Sequence, residues 1–198
     1  MKTGIFGGSF NPVHKGHMHL ADTAFEKLGL DRIIFVPSKI PPHKSASEYV
    51  SADARYEMCR LAVSEREKYL VSDYEIKSDR ISYTYYTINH FKEKYPEDEF
   101  YLIVGSDMFL SFETWYRFED ILAVASLAVA SRENGITEKL DNKKEFLGKY
   151  GRIFLFNVNP LPMSSTKIRK MIKNNEDMYC YLDKKVVKYI VDKNLYRD

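Results

Sequence analysis

Short apolar runs alternate with amphipathic helical segments along the whole sequence. The clearest runs lie at residues 2–6, 32–36, 100–104, 126–130 and 152–156, and a sixth strand is predicted at residues 69–76. Continuous apolar runs of this length are typical of parallel strands that helices cover on both faces. The pattern therefore predicts an α/β fold: a doubly wound, Rossmann-like parallel sheet of about five or six strands, with C-terminal helices.

Between these predicted strands, apolar residues recur at helical spacing, which predicts helices there. A first helix carries the apolar stripe of Met18, Ala21 and Leu28 and ends at Gly29. Other helices are predicted at residues 54–62, 84–95, 107–112, 118–124 and 138–150, then from Ser164 or Ser165, and around Val186 to Val191. Residues 38–51 have no period and are longer than most connections, so a functional loop is predicted there.

The size and charge of the chain limit its class. With 198 residues and a net charge of +2, it is predicted to form a single domain over residues 1–198, with no general nucleic-acid or membrane surface. The lack of a long apolar segment predicts a cytoplasmic protein. Cys59 and Cys180 each lie in an amphipathic pattern and outside any Cys-x-x-Cys pair, so both are predicted to be buried, inert thiols.

The first loop carries the strongest chemical signal. It reads GGSFNPVHKGH from Gly7 to His17 and lies between the first strand and the first helix. Glycines let backbone N–H groups approach an anion, and the helix start adds free donors and partial positive charge. His14 and His17 are predicted to project from one face of the first turn toward that anion. The alternatives are a metal pair and ordinary surface residues, but a zinc site would need further ligands, and none is evident nearby in the sequence.

A second anion-binding helix start is predicted near the C-terminus. It reads SSTKIRK from Ser164 to Lys170, after a proline-rich stretch. Hydroxyl groups at a helix start can cap free N–H groups and can contact phosphate, and Arg169 offers a planar fork to phosphate oxygens. Taken alone, this segment is better described as a helix cap with a basic face.

Together the two segments resemble the paired signatures, HxGH and SSTxIR, of the nucleotidyltransferases that move AMP or CMP from a nucleoside triphosphate. The loop has neither the Gly-x-Gly-x-x-Gly fingerprint of dinucleotide-binding folds nor the Gly-Lys-Ser/Thr ending of a P-loop. Between the signatures lie PPHK, RYEM, SYT, GSD and WY, in that order. With these, the chain is similar to the bacterial nicotinate-nucleotide adenylyltransferases over essentially its full length.

The resemblance implies an enzyme of NAD biosynthesis. It would transfer AMP from ATP to nicotinate mononucleotide by direct in-line attack, giving deamido-NAD and pyrophosphate, with Mg²⁺ bound through phosphates and not by protein side chains. His14, His17 and Arg169 would be catalytic. The implied ATP contacts are Gly8, Ser9, Phe10, His14, Gly16, His17, Gly105, Asp107, Ser165, Thr166 and Arg169.

The resemblance also implies a site for nicotinate mononucleotide, formed by Lys44, Thr84, Trp115 and Tyr116. Trp115 would stack on the pyridinium ring, whose charge suits an indole face. Backbone N–H groups of Thr84 and Tyr116 would favour a carboxylate over an amide.

Several alternatives stay open from the sequence alone. The same reaction on nicotinamide mononucleotide or on phosphopantetheine is the nearest, and a non-catalytic nucleotide-binding protein is more remote. ATP and nicotinate mononucleotide are the expected partners, nucleic acid and membrane are not expected, and homo-oligomerisation is left open.

Overall fold

The computed structural model describes residues 1–39, 49–131, 137–159 and 161–197. Its strands form a six-stranded parallel sheet with the order β3-β2-β1-β4-β5-β6. The strands are β1 Lys2–Gly8, β2 Arg32–Pro37, β3 Tyr69–Val71, β4 Glu99–Gly105, β5 Ala125–Ser131 and β6 Ile153–Asn157. The predicted doubly wound sheet is confirmed.

The helices lie between the strands and after the last one. They are α1 Lys15–Leu28, α2 Ala52–Val63, α3 Tyr74–Lys77, α4 Thr84–Lys94, α5 Ser106–Leu110, α6 Phe118–Val124, α7 Glu138–Leu147, α8 Ser165–Lys173 and α9 Lys184–Asp192. A 3-10 turn, Phe112–Thr114, follows α5. As predicted, Gly29 ends α1 in a left-handed conformation. None of the helices in the described residues is long and apolar enough to cross a membrane.

Successive side chains of the central strands pack alternately into two apolar clusters, one on each face of the sheet. Phe6 and Ile103 belong to the cluster that α1, α2, α8 and α9 cover. Ile5 and Leu102, their neighbours in sequence, belong to the cluster that α4, α5, α6 and α7 cover. Burial on both faces explains why these strands read as continuous apolar runs and not as alternating ones.

The third strand is shorter than predicted. The sequence favours a strand over residues 69–76, but β3 ends at Val71 and Tyr74–Lys77 forms the short helix α3. Two contacts with α4 favour this helix: the Tyr74 ring stacks on His90 at 3.9 Å, and Thr87 Oγ1 donates to the buried Glu75 carboxylate at 2.6 Å. Tertiary packing thus outweighs the β-propensity of the segment.

Three further expectations need correction. The helix predicted at residues 107–112 divides into α5 and the 3-10 turn, and α7 ends three residues before the predicted Tyr150, at Leu147. Cys59 is buried as predicted, and its burial raises the pKa of the thiol. Cys180 is exposed, because it lies in the turn between α8 and α9 and not on a helix.

The sheet order places a crevice at the carboxyl ends of β1 and β4. Connections from β1 run toward β2 on one side, whereas β4 lies on the other side and starts the second half of the sheet. Ligands of doubly wound folds bind at such a reversal of strand order. The glycine loop follows β1, and Gly105 ends β4, so both predicted ATP-binding segments lie at this edge.

Candidate active site

The two histidines of the first loop cap α1 and also bond to each other's backbone. His14 is the N-cap residue, with extended backbone. Its Nδ1 accepts from the His17 N–H at 3.3 Å, and His17 Nδ1 accepts from the His14 N–H at 3.2 Å. The imidazole rings stack with centroids 3.7 Å apart. This is a capping box in which imidazoles replace the usual hydroxyl and carboxylate groups.

The capping box fixes the tautomer of both rings. Because each Nδ1 accepts a backbone N–H, the proton of each neutral ring lies on Nε2. Burial lowers the pKa of His14 from 6.5 to about 4. Burial, and then repulsion from His14, lower the pKa of His17 well below its usual value. At neutral pH the pair therefore offers two uncharged N–H donors at the start of α1.

Two glycines allow the loop to pack closely around these rings. A Cβ on Gly16 would lie 3.0 Å from His14 Nδ1 and 3.2 Å from Met163 Cγ. A Cβ on Gly8 would lie 3.0 Å from the ring of Phe10, which is buried and has a positive φ of 44°. A larger residue at Gly16 would displace the His14 ring, and one at Gly8 would displace the Phe10 ring.

The start of α8 lies against the same loop. Ser164 caps α8 by accepting from the Lys167 N–H at 3.2 Å. Ser165 Oγ donates to the Pro12 carbonyl at 2.9 Å, and Arg169 Nη1 donates to the Asn11 carbonyl at 2.9 Å. The structure thus brings the two motif segments together. Ser165 and Arg169 each hold the loop by a carbonyl.

Thr166 completes this group of predicted phosphate ligands. It is exposed, and its Oγ1 accepts from Arg169 Nη2 at 3.4 Å. A second guanidinium nitrogen of Arg169 is thereby directed back to the first turn of α8. The hydroxyls and the guanidinium form one polar surface at that helix start.

An arginine that sequence reasoning did not place in the site also holds the loop. Arg55, on α2, is only 1% exposed. Its guanidinium donates to the carbonyls of Ser9 at 2.8 Å, Lys39 at 3.1 Å and Val50 at 3.3 Å. Its signals in the sequence were the RYEM segment of the family resemblance and a place beside the apolar stripe of a predicted helix. Burial is the main cause that lowers the pKa of Arg55 from its usual value.

The predicted ribose contacts follow β4. Gly105 is the last residue of that strand and the N-cap of α5, and Asp107 lies exposed in the first turn of α5. Because β4 pairs with β1, this turn lies beside the glycine loop at the carboxyl edge of the sheet.

The predicted nicotinate residues surround a cluster of aromatic rings. Thr84 is the first residue of α4. Tyr116 lies half exposed, with its ring 4.9 Å from Tyr83 and 5.9 Å from Tyr86. Trp115 is partly buried and packs on Phe112 at 4.9 Å. The structure therefore brings Thr84 and Tyr116 to the same group of tyrosine rings, whereas Lys44 lies outside the described residues.

The donor set does not suit a metal held by these histidines. Each Nδ1 lone pair is already used by a backbone N–H, and each neutral Nε2 carries a proton. Across the described ranges, no group of three or more His, Cys, Asp or Glu side chains is placed to hold a metal ion. The zinc alternative considered from the sequence thus finds no ligand set in this part of the chain.

Comparison with known proteins gives one consistent family. Residues 5–171 match the cytidylyltransferase-like family. The chain is 41% identical over 196 residues to a probable nicotinate-nucleotide adenylyltransferase of Clostridium botulinum (strain Loch Maree / Type A3), covering 98% of each chain. It is 39% identical over 199 residues to a protein of the same name from Clostridium novyi (strain NT), covering 99% of each.

The fold is also similar to that of solved structures. Nicotinic acid mononucleotide adenylyltransferase of Plasmodium falciparum, complexed with NaAD, superposes with a TM-score of 0.78 at 22% identity, covering 99% of this chain and 98% of that one. At that identity the likeness concerns the fold alone.

Proposed function

Because the chain belongs to the cytidylyltransferase-like family, and within it to the nicotinate-nucleotide adenylyltransferases, we propose that it transfers AMP from ATP to nicotinate mononucleotide. The products are deamido-NAD and pyrophosphate, and the reaction belongs to NAD biosynthesis. The residues that carry it out are inferred from the geometry of the loop and of α8.

The observation that carries the proposal is the reciprocal capping of His14 and His17. It leaves two neutral Nε2–H donors next to a glycine loop and a helix N-terminus. Because their pKa values are lowered, both rings are neutral near pH 7 before a phosphate binds. Preorganised donors of this kind stabilise charge that develops on phosphate oxygens.

The proposed reaction requires alignment more than proton transfer. The 5′-phosphate of nicotinate mononucleotide is already ionised and attacks the α-phosphorus in line, so no general base and no covalent enzyme intermediate are needed. Catalysis then comes from positioning and from stabilising spread negative charge. His14 and His17 donate to the phosphates, and Arg169 adds positive charge from α8.

The remaining ATP contacts follow from the same edge of the sheet. We assign Gly8, Ser9, Phe10 and Gly16 to close approach of the loop, Ser165 and Thr166 to the phosphates, and Gly105 and Asp107 to the ribose. Mg²⁺, when bound through the phosphates of ATP, supplies charge neutralisation there. The protein's own residues hold ATP and not the ion.

Preference for the acid over the amide is assigned to the aromatic side of the site. Thr84 begins α4, so its backbone N–H has no intrahelical acceptor and can donate to a carboxylate. A carboxylate only accepts hydrogen bonds, whereas the NH₂ of an amide would oppose such a donor. Trp115 offers a face to the pyridinium ring. Tyr116 lies close to the start of α4, because its ring contacts that of Tyr83, the residue before Thr84.

Pyrophosphate release tests this function directly. The purified protein is given ATP and Mg²⁺ with nicotinate mononucleotide, nicotinamide mononucleotide or phosphopantetheine in parallel. We expect fast release with nicotinate mononucleotide only. Comparable release with the amide would retain the reaction but refute the Thr84 and Tyr116 assignment. Release with phosphopantetheine alone, or none at all, would refute the proposed function.

The role of His17 can be tested by truncation. We expect His17→Ala to lower kcat by roughly 10²–10³-fold, the usual cost of removing one preorganised donor to developing negative charge. His19→Ala, two residues further along α1, is the matched control and should retain wild-type kcat. A His17→Ala enzyme that keeps most of its kcat would contradict the assignment.

A further inference from the structure

The C-terminal residues reach the glycine loop. Tyr196 follows α9, in left-handed backbone with a φ of 65°. Its hydroxyl donates to Asn11 Oδ1 at 2.9 Å, across 185 residues of sequence. Asn11 is only 2% exposed, so this hydrogen bond forms where water competes little.

The hydroxyl of Tyr196 acts there as a donor. Burial raises its pKa above the usual value for tyrosine, and the nearby positive charges of Arg55 and Arg169 oppose that rise. With its pKa raised in this way, the group is protonated near neutral pH. Its contribution is therefore geometric and not one of proton transfer.

Asn11 is held from two sides. Its carbonyl accepts from Arg169 at 2.9 Å, and its side chain accepts from Tyr196. Pro12, the next residue, is held through its carbonyl by Ser165. His14 comes two residues after Pro12, so the segment held at Asn11 and Pro12 leads directly to the first ring of the capping box.

We propose that Tyr196 is a positioning residue for the adenylyl-transfer reaction, acting through Asn11 on the loop that leads to His14. The inference rests on the proposed function. Misplacing reacting groups by about 1 Å can cost up to roughly 100-fold in rate. Loss of one restraint out of several should cost less, about tenfold in kcat.

Tyr196→Phe in the full chain removes only the hydroxyl. Tyr189→Phe is the matched control, because Tyr189 packs against the same core cluster from α9. With Tyr196→Phe we expect kcat for pyrophosphate release to fall about tenfold, while the KM values for ATP and for nicotinate mononucleotide stay within about twofold. The control should keep wild-type kcat. A kcat within twofold of wild type for Tyr196→Phe would overturn the inference.

A double-mutant cycle separates positioning from general destabilisation. If Tyr196 acts through Asn11, then Tyr196→Phe should change kcat by less than twofold in an Asn11→Ala background. Losses that multiply would show a different route and would overturn the inference. All assays are run well below the melting temperature of each variant.

Amide hydrogen exchange gives a readout that needs no substrate. The peptide covering residues 8–18 should exchange about tenfold faster in Tyr196→Phe than in wild type or in Tyr189→Phe. Unchanged exchange would overturn the inference. If wild-type protein released no pyrophosphate, the proposed function would fail, yet the exchange measurement would still decide whether Tyr196 holds the loop.

Discussion

Acid should destabilise this protein through the imidazole of His14. Burial lowers the pKa of that ring from 6.5 to about 4, because a buried cation loses its hydration. The unfolded chain takes up a proton below about pH 6.5, whereas the folded chain does so only near pH 4. Stability contributed by the neutral ring is therefore complete above pH 6.5 and is lost as the pH falls through this window.

The size of the loss follows from the difference between the two pKa values. Each tenfold change in proton affinity is worth about 1.4 kcal/mol. The full loss of stability is therefore about 3 kcal/mol, and about 2 kcal/mol of it has already occurred at about pH 5. His17 adds to the loss, since its pKa is also lowered. Glu75 opposes it, because burial raises the pKa of that carboxyl group.

His14→Asn isolates the contribution of one ring. Asparagine caps helices well and carries no charge at any of these pH values. Urea unfolding, followed by circular dichroism, should be measured for both proteins at about pH 7.5 and pH 5. We expect the wild type to lose about 2 kcal/mol more than the variant between the two conditions. An equal loss in both proteins would refute a buried, neutral His14.

Three further substitutions test the packing of the site. Gly16→Ala should lower the free energy of unfolding by about 1–2 kcal/mol, because its Cβ would press on an imidazole 3.0 Å away; Gly7→Ala, with open space around it, should be neutral in the same urea titration. Arg55→Met should cost about 3 kcal/mol, since three partly buried carbonyls lose their donor, whereas Arg60→Met, which breaks an exposed ion pair, should cost less than about 0.5 kcal/mol; equal costs would contradict the role of Arg55 in holding the loop. Trp115→Ala should raise the KM for nicotinate mononucleotide about tenfold and leave the KM for ATP unchanged. Steady-state kinetics with each substrate varied measures both values, and an unchanged KM for nicotinate mononucleotide would contradict the stacking role.

The fold could be predicted from the sequence because its signals are local. Continuous apolar runs indicated buried strands, and Gly29 marked the end of the first helix. The strand predicted over residues 69–76 was wrong beyond Val71, because the contacts that decide its conformation join Tyr74 and Glu75 to α4, a separate segment of the sequence. Periodicity records which faces are buried, but it does not record which partner buries them.

The candidate site was predictable only in part, for a related reason. The HxGH and SSTxIR segments could be recognised, and the structure brings them together through the bonds of Ser165 and Arg169 to the loop. The capping of His14 and His17 by each other could have been suspected from their spacing, which is that of a capping box. The roles assigned to these residues toward ATP stay predictions.

The loop that carries the predicted ATP contacts is held by its carbonyl groups. Arg55 from α2 binds the carbonyl of Ser9, and Ser165 from α8 binds that of Pro12. In a trans peptide the N–H lies opposite the carbonyl of the same unit, so these bonds also orient the N–H that follows each carbonyl, including that of Phe10. Donors oriented before the ligand arrives need no reorganisation when negative charge develops. Since α2 and α8 are fixed by the core cluster on that face of the sheet, the orientation of the loop depends on long-range packing. The motifs therefore reveal the residues predicted to contact ATP, whereas the structure shows that Arg55 and Ser165 also hold the loop that carries them.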